Sequence, residues 1–279
     1  METEYSLADQ PARFAKAKAD DNRRVIDVNS VYDATYLRGL TVLVTGANRG
    51  IGLALTQELL TQGARVVASV RQAGPELSAL AGRDVPLGIR TGIDVTEESA
   101  TAKLAADLAD PLDIVINNAG YFYEPPETLK NLNFAEELRM IDICALGPLR
   151  VTAALHNAGR IKSPGGKVAV ITSQGGSIAW RTTQNPAGGD YGHHMSKAAA
   201  NMMSVLLAQE LKQDEISVSV LHPGFNKTDM TRKYESIWEV EGAVDVAIGA
   251  RRILHEIGRQ SLATTGQFIN CEDGLQIPW

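Results

Sequence analysis

Thr41-Val42-Leu43-Val44-Thr45-Gly46-Ala47-Asn48-Arg49-Gly50-Ile51-Gly52 reads as a short β-branched strand that runs into a glycine-rich turn opening a helix. The apolar run does not alternate with polar residues, as expected of a parallel strand buried on both faces. Each glycine has its own reason. Gly46 lets the chain turn sharply, Gly50 lets the backbone approach a pyrophosphate, and Gly52 lets the helix pack close to the strand. The helix N-terminus adds free N–H groups and a partial positive charge for phosphate oxygens. A glycine triplet alone is weak evidence, but this one sits between a buried strand and a helix, the context of a dinucleotide site.

Outward from this turn the chain alternates strands with helices. A helix is expected over Leu53–Leu60, ended by Gln62-Gly63, then strands over Arg65–Val70, Leu112–Ile116 and Lys167–Thr172. A long helix over His193–Leu211 and a strand over Ser217–Leu221 follow. Strands spaced by helices mean βαβ units. The expected class is α/β, one domain over 39–279 built on a doubly wound parallel sheet with helices on both faces. Residues 1–38 are polar and lack strand character. Ala12–Lys18 suits a short helix, and Asp20-Asp21-Asn22-Arg23-Arg24 reads as a solvated charge cluster. Two readings of this segment stand side by side: an arm lying on the domain or on a neighbouring subunit, and a disordered tail.

Bulk properties narrow the function. A net charge of −6 gives no clustered cationic face for nucleic acid, so any anion site must be local. Cys144 and Cys271 are too few for a disulfide framework or a cysteine-rich metal site, and no metal is expected. Met1-Glu2-Thr3-Glu4 has neither the basic nor the apolar region of a secretory leader. No window resembles the ~18 apolar residues of a membrane span. The expected location is the cytoplasm, with no membrane partner.

Cofactor preference is legible where the second strand ends, Ala68-Ser69-Val70-Arg71. NAD sites commonly place a carboxylate there for the ribose 2′-hydroxyl. None is present, and Arg71 and Arg49 suit a 2′-phosphate through charge-assisted hydrogen bonds, so NADP(H) is expected over NAD.

These segments, with Asn117-Asn118-Ala119-Gly120, Ser173 followed by Gly176, Ser196-Lys197-Ala198-Ala199, Pro223-Gly224 with Thr228, Asp273-Gly274 and Pro278-Trp279, resemble the classical short-chain dehydrogenase/reductase family. The branch is that of C-factor-like and sniffer-like carbonyl reductases, and the resemblance runs from Leu40 to Trp279. It implies a single-domain Rossmann fold and a small-molecule carbonyl or alcohol substrate. It also implies assembly as a homodimer or homotetramer. For the cofactor it implies contacts from Gly46, Asn48, Arg49, Gly50, Ile51, Gly52 and Arg71, from Asp94 and Val95 on the adenine side, and from Asn118, Ala119 and Gly120. Lys197 at the nicotinamide ribose, and Pro223, Gly224 and Thr228 at the nicotinamide end, complete the implied set.

In the family a serine, a tyrosine and a lysine act on the carbonyl, usually with an asparagine relay. Ser173 and Lys197 match the serine and the lysine. The tyrosine position holds His193, and the asparagine position, one residue before Ala145-Leu146-Gly147-Pro148-Leu149, holds Cys144. Tyr191 is an alternative to His193, but six residues from Lys197 it lies roughly 240° around a helix, whereas His193 is one turn away on the same face. A late helix start would bring Tyr191 inward.

His193 suits acid–base work near neutral pH. The Lys197 charge would depress its pKa and favour a neutral imidazole, a better base than acid. Three functions follow: an oxidoreductase using Ser173, His193 and Lys197; a non-redox isomerase, dehydratase or cyclase using Ser173 and His193; and a silent NADP-binding protein in which His193 only fills space. His194 is read as incidental and His222 as structural. Tyr121, Phe122, Tyr123, Trp180 and Phe225 are read either as pocket lining or as packing.

Overall fold

The computed structural model describes Ser6–Trp279; the Met1–Glu4 stretch read above as leaderless lies outside these residues. The strands are β1 (Thr41–Thr45), β2 (Arg65–Ser69), β3 (Leu87–Arg90), β4 (Ile114–Asn117), β5 (Lys167–Ile171), β6 (Ser217–His222), β7 (Asn226–Lys227), β8 (Val244–Asp245) and β9 (Phe268–Asn270). Seven of them form one sheet in the order β3-β2-β1-β4-β5-β6-β9, parallel throughout, while β7 and β8 pair separately. The order reverses between β1 and β4, and open α/β sheets bind ligands beyond the strand ends at such a point.

Helices α1 (Gln10–Ala19) and α2 (Arg23–Ile26) belong to the arm. The domain adds α3 (Gly50–Thr61), α4 (Pro75–Leu80), α5 (Glu98–Ala106), α6 (Phe134–Ile141), α7 (Gly147–Asn157), α8 (Arg181–Gln184), α9 (Tyr191–Leu211) and α10 (Val246–Arg259). Because side chains alternate along a strand, β1 feeds two cores. Val42 and Val44 pack with Leu55 and Leu59 of α3 and Ile253 and Ile257 of α10. Leu43 points to the other face, with Leu104 of α5, Val151 and Leu155 of α7 and Leu207 and Leu211 of α9. This is the doubly wound α/β sheet expected, with helices on both faces.

The expected strands and helices are present with ends shifted by one to three residues, save that Leu112 and Asp113 stay outside β4 and Leu112 bridges Ile161 instead. Edge strands β3 and β9 escaped the sequence reading. β3 is Leu-Gly-Ile-Arg and half-buried throughout, so it carries no apolar run to read, and β9 is only three residues long.

The arm lies on its own domain. Ala34 and Leu37 enter the core beside α3 and α10. Arg24, read above as part of a solvated cluster, instead pairs with Glu256 and donates to the Glu272 carbonyl at 3.2 Å. Asn22 caps α2 through the Val25 N–H. The strongest tie is buried. Arg13 donates to the Glu272 carboxylate at 2.8 Å with both side chains almost fully covered, and its guanidinium lies 5.8 Å over the Trp180 ring. Glu272 also accepts from Gln10 and from the Phe225 N–H, and Arg252 lies 3.7 Å away. Burial pushes the Glu272 pKa up, but Arg13, Arg252 and the Phe225 N–H together hold it below the usual carboxylate value.

Removing one partner of a buried pair leaves an uncompensated charge. Arg13→Ala is expected to destabilise the protein by about 3–5 kcal/mol in urea unfolding. Adding Glu272→Gln to that variant should recover a large part of the loss. Equal stability of the Arg13→Ala and wild-type chains would refute the account.

Candidate active site

The turn after β1 is built by close contact. A Cβ on Gly52 would collide with the Gly46 carbonyl oxygen, and one on Gly46 would come within 2.9 Å of the Ala119 Cα. Gly46 and Gly50 also have φ of +68° and +53°, which favours glycine at both. Thr45 Oγ1 accepts from the Asn118 and Ala119 N–H groups, and the Asn118 amide donates to the Thr45 carbonyl. The Asn118 side chain therefore ties the β1 turn to the β4 loop.

Asn48 is tied similarly. Its amide donates to the Gln72 carbonyl and its oxygen accepts from the Gly74 N–H. The residues fit a dinucleotide. Helix α3 begins with no acidic residue in its first turn and no side-chain cap, so its N–H groups are free for phosphate. Arg49 and Arg71 are exposed, and neither is held in an ion pair among the described residues. Asp94 keeps one carboxylate oxygen on the Thr96 N–H and hydroxyl. Thr228 caps the following 3-10 segment, Asp229–Ile237, and its methyl carbon lies 3.7 Å from where a Gly50 Cβ would stand. The mouth of the turn thus meets the loop after β6, where Pro223 and Gly224 also lie.

At the catalytic positions, α9 starts at Tyr191, and Asp190 before it is in the left-handed region at φ 50°. His193 and Lys197 are therefore one full turn apart, as expected. A Cβ on Gly175 would stand 3.1 Å from His193 Nε2 and 3.2 Å from both Ser173 Oγ and His194 Nδ1, so three side chains approach one point beside Gly175. Tyr191 is the first residue of α9, six positions before Lys197. Ser173 Oγ accepts from the Gly175 N–H at 3.0 Å, which leaves its proton free to donate.

The His193 ring packs 4.7 Å from Phe122, and its Nδ1 is buried with no hydrogen-bond partner. Its edge is partly accessible, yet its surroundings are dense. Burial first, and then the charges of Lys197 and Lys233, hold its pKa well below the ordinary imidazole value.

Several residues matter that motif reading missed. Lys233 Nζ is buried without a hydrogen-bond partner, 3.5 Å over the Phe122 ring and 3.3 Å from Glu124 Oε1. No pattern marks it, because recognisable spacing stops at Thr228. His194 is not incidental. Its Nδ1 lies 2.9 Å from the Gly175 carbonyl and 3.3 Å from Arg181 Nη1, and its Nε2 lies 3.2 Å from the Asn185 amide. It fixes the backbone that separates Ser173 from His193.

Glu127 accepts from the Gly192 N–H at 2.9 Å and so anchors the first turn of α9. The neighbouring Glu137 is buried, and burial together with Glu127 raises its pKa. Cys144 sits in a π-helical turn, Asp142–Leu146, with Sγ 3.5 Å from both the N–H and the carbonyl of Tyr121. Its thiol contacts backbone here.

Of the five aromatics, Phe122 reaches the site. Tyr121 bonds Glu136, Tyr123 bonds Asn133, and Trp180 belongs to a core with Val220, Phe268 and Ile277. His222 is buried with both ring nitrogens unpartnered, and burial pushes its pKa down to about 3. Among the described residues no cluster of histidine, cysteine and carboxylate side chains could hold a metal.

The comparisons with known proteins agree with this fold. The family profile described as short chain dehydrogenase matches residues 40–237. The chain is 32% identical over 242 residues to 1-hydroxy-2-glutathionyl-2-methyl-3-butene dehydrogenase of Rhodococcus sp. (strain AD45), covering 86% of this chain and 99% of that one. Carbonyl reductase Sniffer of D. melanogaster superposes with a TM-score of 0.73 at 26% identity, covering 87% of this chain and 100% of that chain. An NADPH-bound carbonyl reductase from chicken fatty liver superposes with a TM-score of 0.74, also at 26% identity and with the same coverage. With the glycine turn and this strand order, the chain belongs to the short-chain dehydrogenase family.

Proposed function

We propose that the protein is an NADP(H)-dependent oxidoreductase that acts on the hydroxyl or carbonyl group of a small molecule through Ser173, His193 and Lys197. The observation that carries this reading is the approach of Ser173 Oγ and His193 Nε2 to one point beside Gly175. Arg49 and Arg71, in the absence of an acid at the end of β2, favour the 2′-phosphorylated cofactor. The NADPH-bound chicken relative supports that preference. The turn over Gly46–Gly52 and the start of α3 would hold the pyrophosphate, and Lys197 the nicotinamide ribose.

The bound nicotinamide supplies or accepts a hydride. The chain supplies the proton chemistry. Ser173 Oγ–H donates a hydrogen bond to the substrate oxygen. His193, held neutral by burial and two lysine charges, takes the hydroxyl proton on Nε2 when Nδ1 carries the ring proton. The neutral imidazole has a lone pair available at neutral pH, which suits oxidation of an alcohol, while the burial and lysine charges that keep it neutral also make it a weak base. The Rhodococcus relative, by its name a dehydrogenase of a hydroxy compound, supports that direction.

His193→Ala and Ser173→Ala should each lower NADP-linked alcohol oxidation about 10²–10⁴-fold, with cofactor affinity little changed in fluorescence titration. Wild-type rate should stay level as pH falls through the ordinary imidazole value of 6.5, because the folded pKa lies well below it. Substrate turnover with no change in nicotinamide absorbance would replace this reading with the non-redox one.

Lys233→Met removes one of the charges that depress His193. Its imidazole titration, followed by NMR, should move up toward 6.5, and the acid limb of the rate profile should move with it. An unmoved titration would show that Lys233 does not act on His193.

A self-associating assembly is part of the same proposal. Phe134 and Leu138 on α6, and Met202 and Leu206 on α9, are each more than half exposed on two helices that pack together. A row of large apolar side chains of this kind marks an interface. Phe134→Glu with Leu138→Glu should yield monomers in light scattering if the wild-type chain is a dimer or tetramer; a monomeric wild-type chain would overturn this part.

A further inference from the structure

The loop after β5 carries Ser173, and the loop after β6 carries Pro223 and Gly224, assigned above to the nicotinamide end. The two strands are neighbours in the sheet, and past the end of β5 one more backbone bond joins them, from the Thr172 N–H to the Leu221 carbonyl at 2.8 Å. Beyond it the loops are linked through the arm. Arg13 of α1 is buried, and its Nη2 donates both to Gln174 Oε1 at 3.1 Å and to Glu272 Oε2 at 2.8 Å, while Nη1 donates to the Leu7 carbonyl at 2.6 Å. Gln174 follows Ser173 directly and opens the 3-10 turn Gln174–Gly176, which Ser173 caps through the Gly175 N–H. Glu272 serves the other loop. Its Oε1 accepts from the Phe225 N–H at 3.3 Å, and a Cβ on Gly224 would stand 2.6 Å from its Cγ.

Other residues seat the arm on the same surroundings. Gln184, at the end of α8, donates to the Ala8 carbonyl at 2.7 Å. Gln10 donates to the Glu241 carbonyl at 3.0 Å and to Glu272 Oε1 at 3.1 Å. A Cβ on Gly242 would stand 2.6 Å from the Phe14 ring, so α1 lies close against the segment that follows Asp229–Ile237. The family match begins at residue 40, so every one of these ties comes from a segment outside it.

We propose that Arg13 is a positioning residue of the active site: it holds the Ser173 loop against Glu272 and so fixes Ser173 relative to the loop at the nicotinamide end. The proposal rests on the oxidoreductase reading above. A serine that donates to a substrate oxygen while the same substrate faces a nicotinamide tolerates little drift, and a misplacement of about 1 Å costs on the order of 10²-fold in rate. The planar guanidinium spreads its donors over a carbonyl, a carboxamide and a carboxylate at once. A lysine ammonium would keep the charge beside Glu272 without that spread.

Two variants of the full chain break the bridge without stranding the buried charge. Gln174→Met keeps the volume, removes the acceptor and leaves the Arg13–Glu272 pair intact. Arg13→Lys keeps a cation beside Glu272. Each, studied below its own unfolding midpoint, should speed amide hydrogen exchange at Gly175 and Gly176 about tenfold. The Phe225 amide should be unchanged in Gln174→Met, and the double variant should be no faster than the single ones, because all three break one contact. Benzyl alcohol, 1-phenylethanol and cyclohexanol serve as substrate probes with NADP. For the one that the wild-type chain oxidises fastest, single-turnover hydride transfer should fall about tenfold or more in both variants, with the KM for NADP in place. Wild-type exchange in both variants would overturn the proposal. Faster exchange with unchanged hydride transfer would also overturn it, since Arg13 would then hold the loop without serving the reaction. Should the wild-type chain oxidise none of the probes, the oxidoreductase reading is what fails, and the exchange rates still decide whether Arg13 holds the Ser173 loop.

Discussion

The site depends on how closely two backbones approach at the sheet's switch point. Gly52 stands where a single added carbon would strike the Gly46 carbonyl, and Gly46 stands almost against Ala119. This closeness lets Thr45 Oγ1 accept from the Asn118 and Ala119 N–H groups and locks the loops after β1 and β4 together. The start of α3, the mouth of the turn and Thr228 all take their positions from that junction. A larger residue at either glycine would spread the loops and displace the phosphate-facing N–H groups along with them.

The second half of the site rests on an electrostatic choice. Burial favours the neutral form of an imidazole and of a phenol alike, but the two ammonium charges push the imidazole further toward neutrality and would draw a phenol toward its ionised form. The same charges therefore act oppositely on the two side chains, and a histidine at position 193 changes which protonation state is available at neutral pH. His194, the Glu127–Gly192 contact and Phe122 hold that ring in place from three sides. The Cys144 departure is of another kind. Its thiol, within a π-helical turn, contacts the Tyr121 backbone.

Much of this was readable in the residues. Central strands show because burial on both faces demands unbroken β-branched runs, and the dinucleotide turn shows because each glycine answers a separate steric demand. The one-turn spacing of His193 and Lys197 follows from helix geometry alone. Edge strands, half-exposed or very short, leave no such trace. Lys233 was hidden because its importance comes from lying over Phe122, which no local pattern encodes. Arg24 looked solvated because its partner Glu256 lies 232 positions away. His194 looked idle because its partners are a loop carbonyl and an amide, both supplied by tertiary structure.

Arg13 and Glu272 are separated by 259 positions, yet they meet in the interior. During synthesis the arginine emerges early, and its carboxylate is among the late arrivals. Until then α1 has no buried counter-charge, and a guanidinium does not enter an apolar interior alone. Strands β1 to β6 all precede Glu272 in the chain, so the buried pair can form only after they have been made. The pair thus couples the first helix of the chain to one of its last residues, and a chain lacking Glu272 would leave the Arg13 guanidinium without its buried partner.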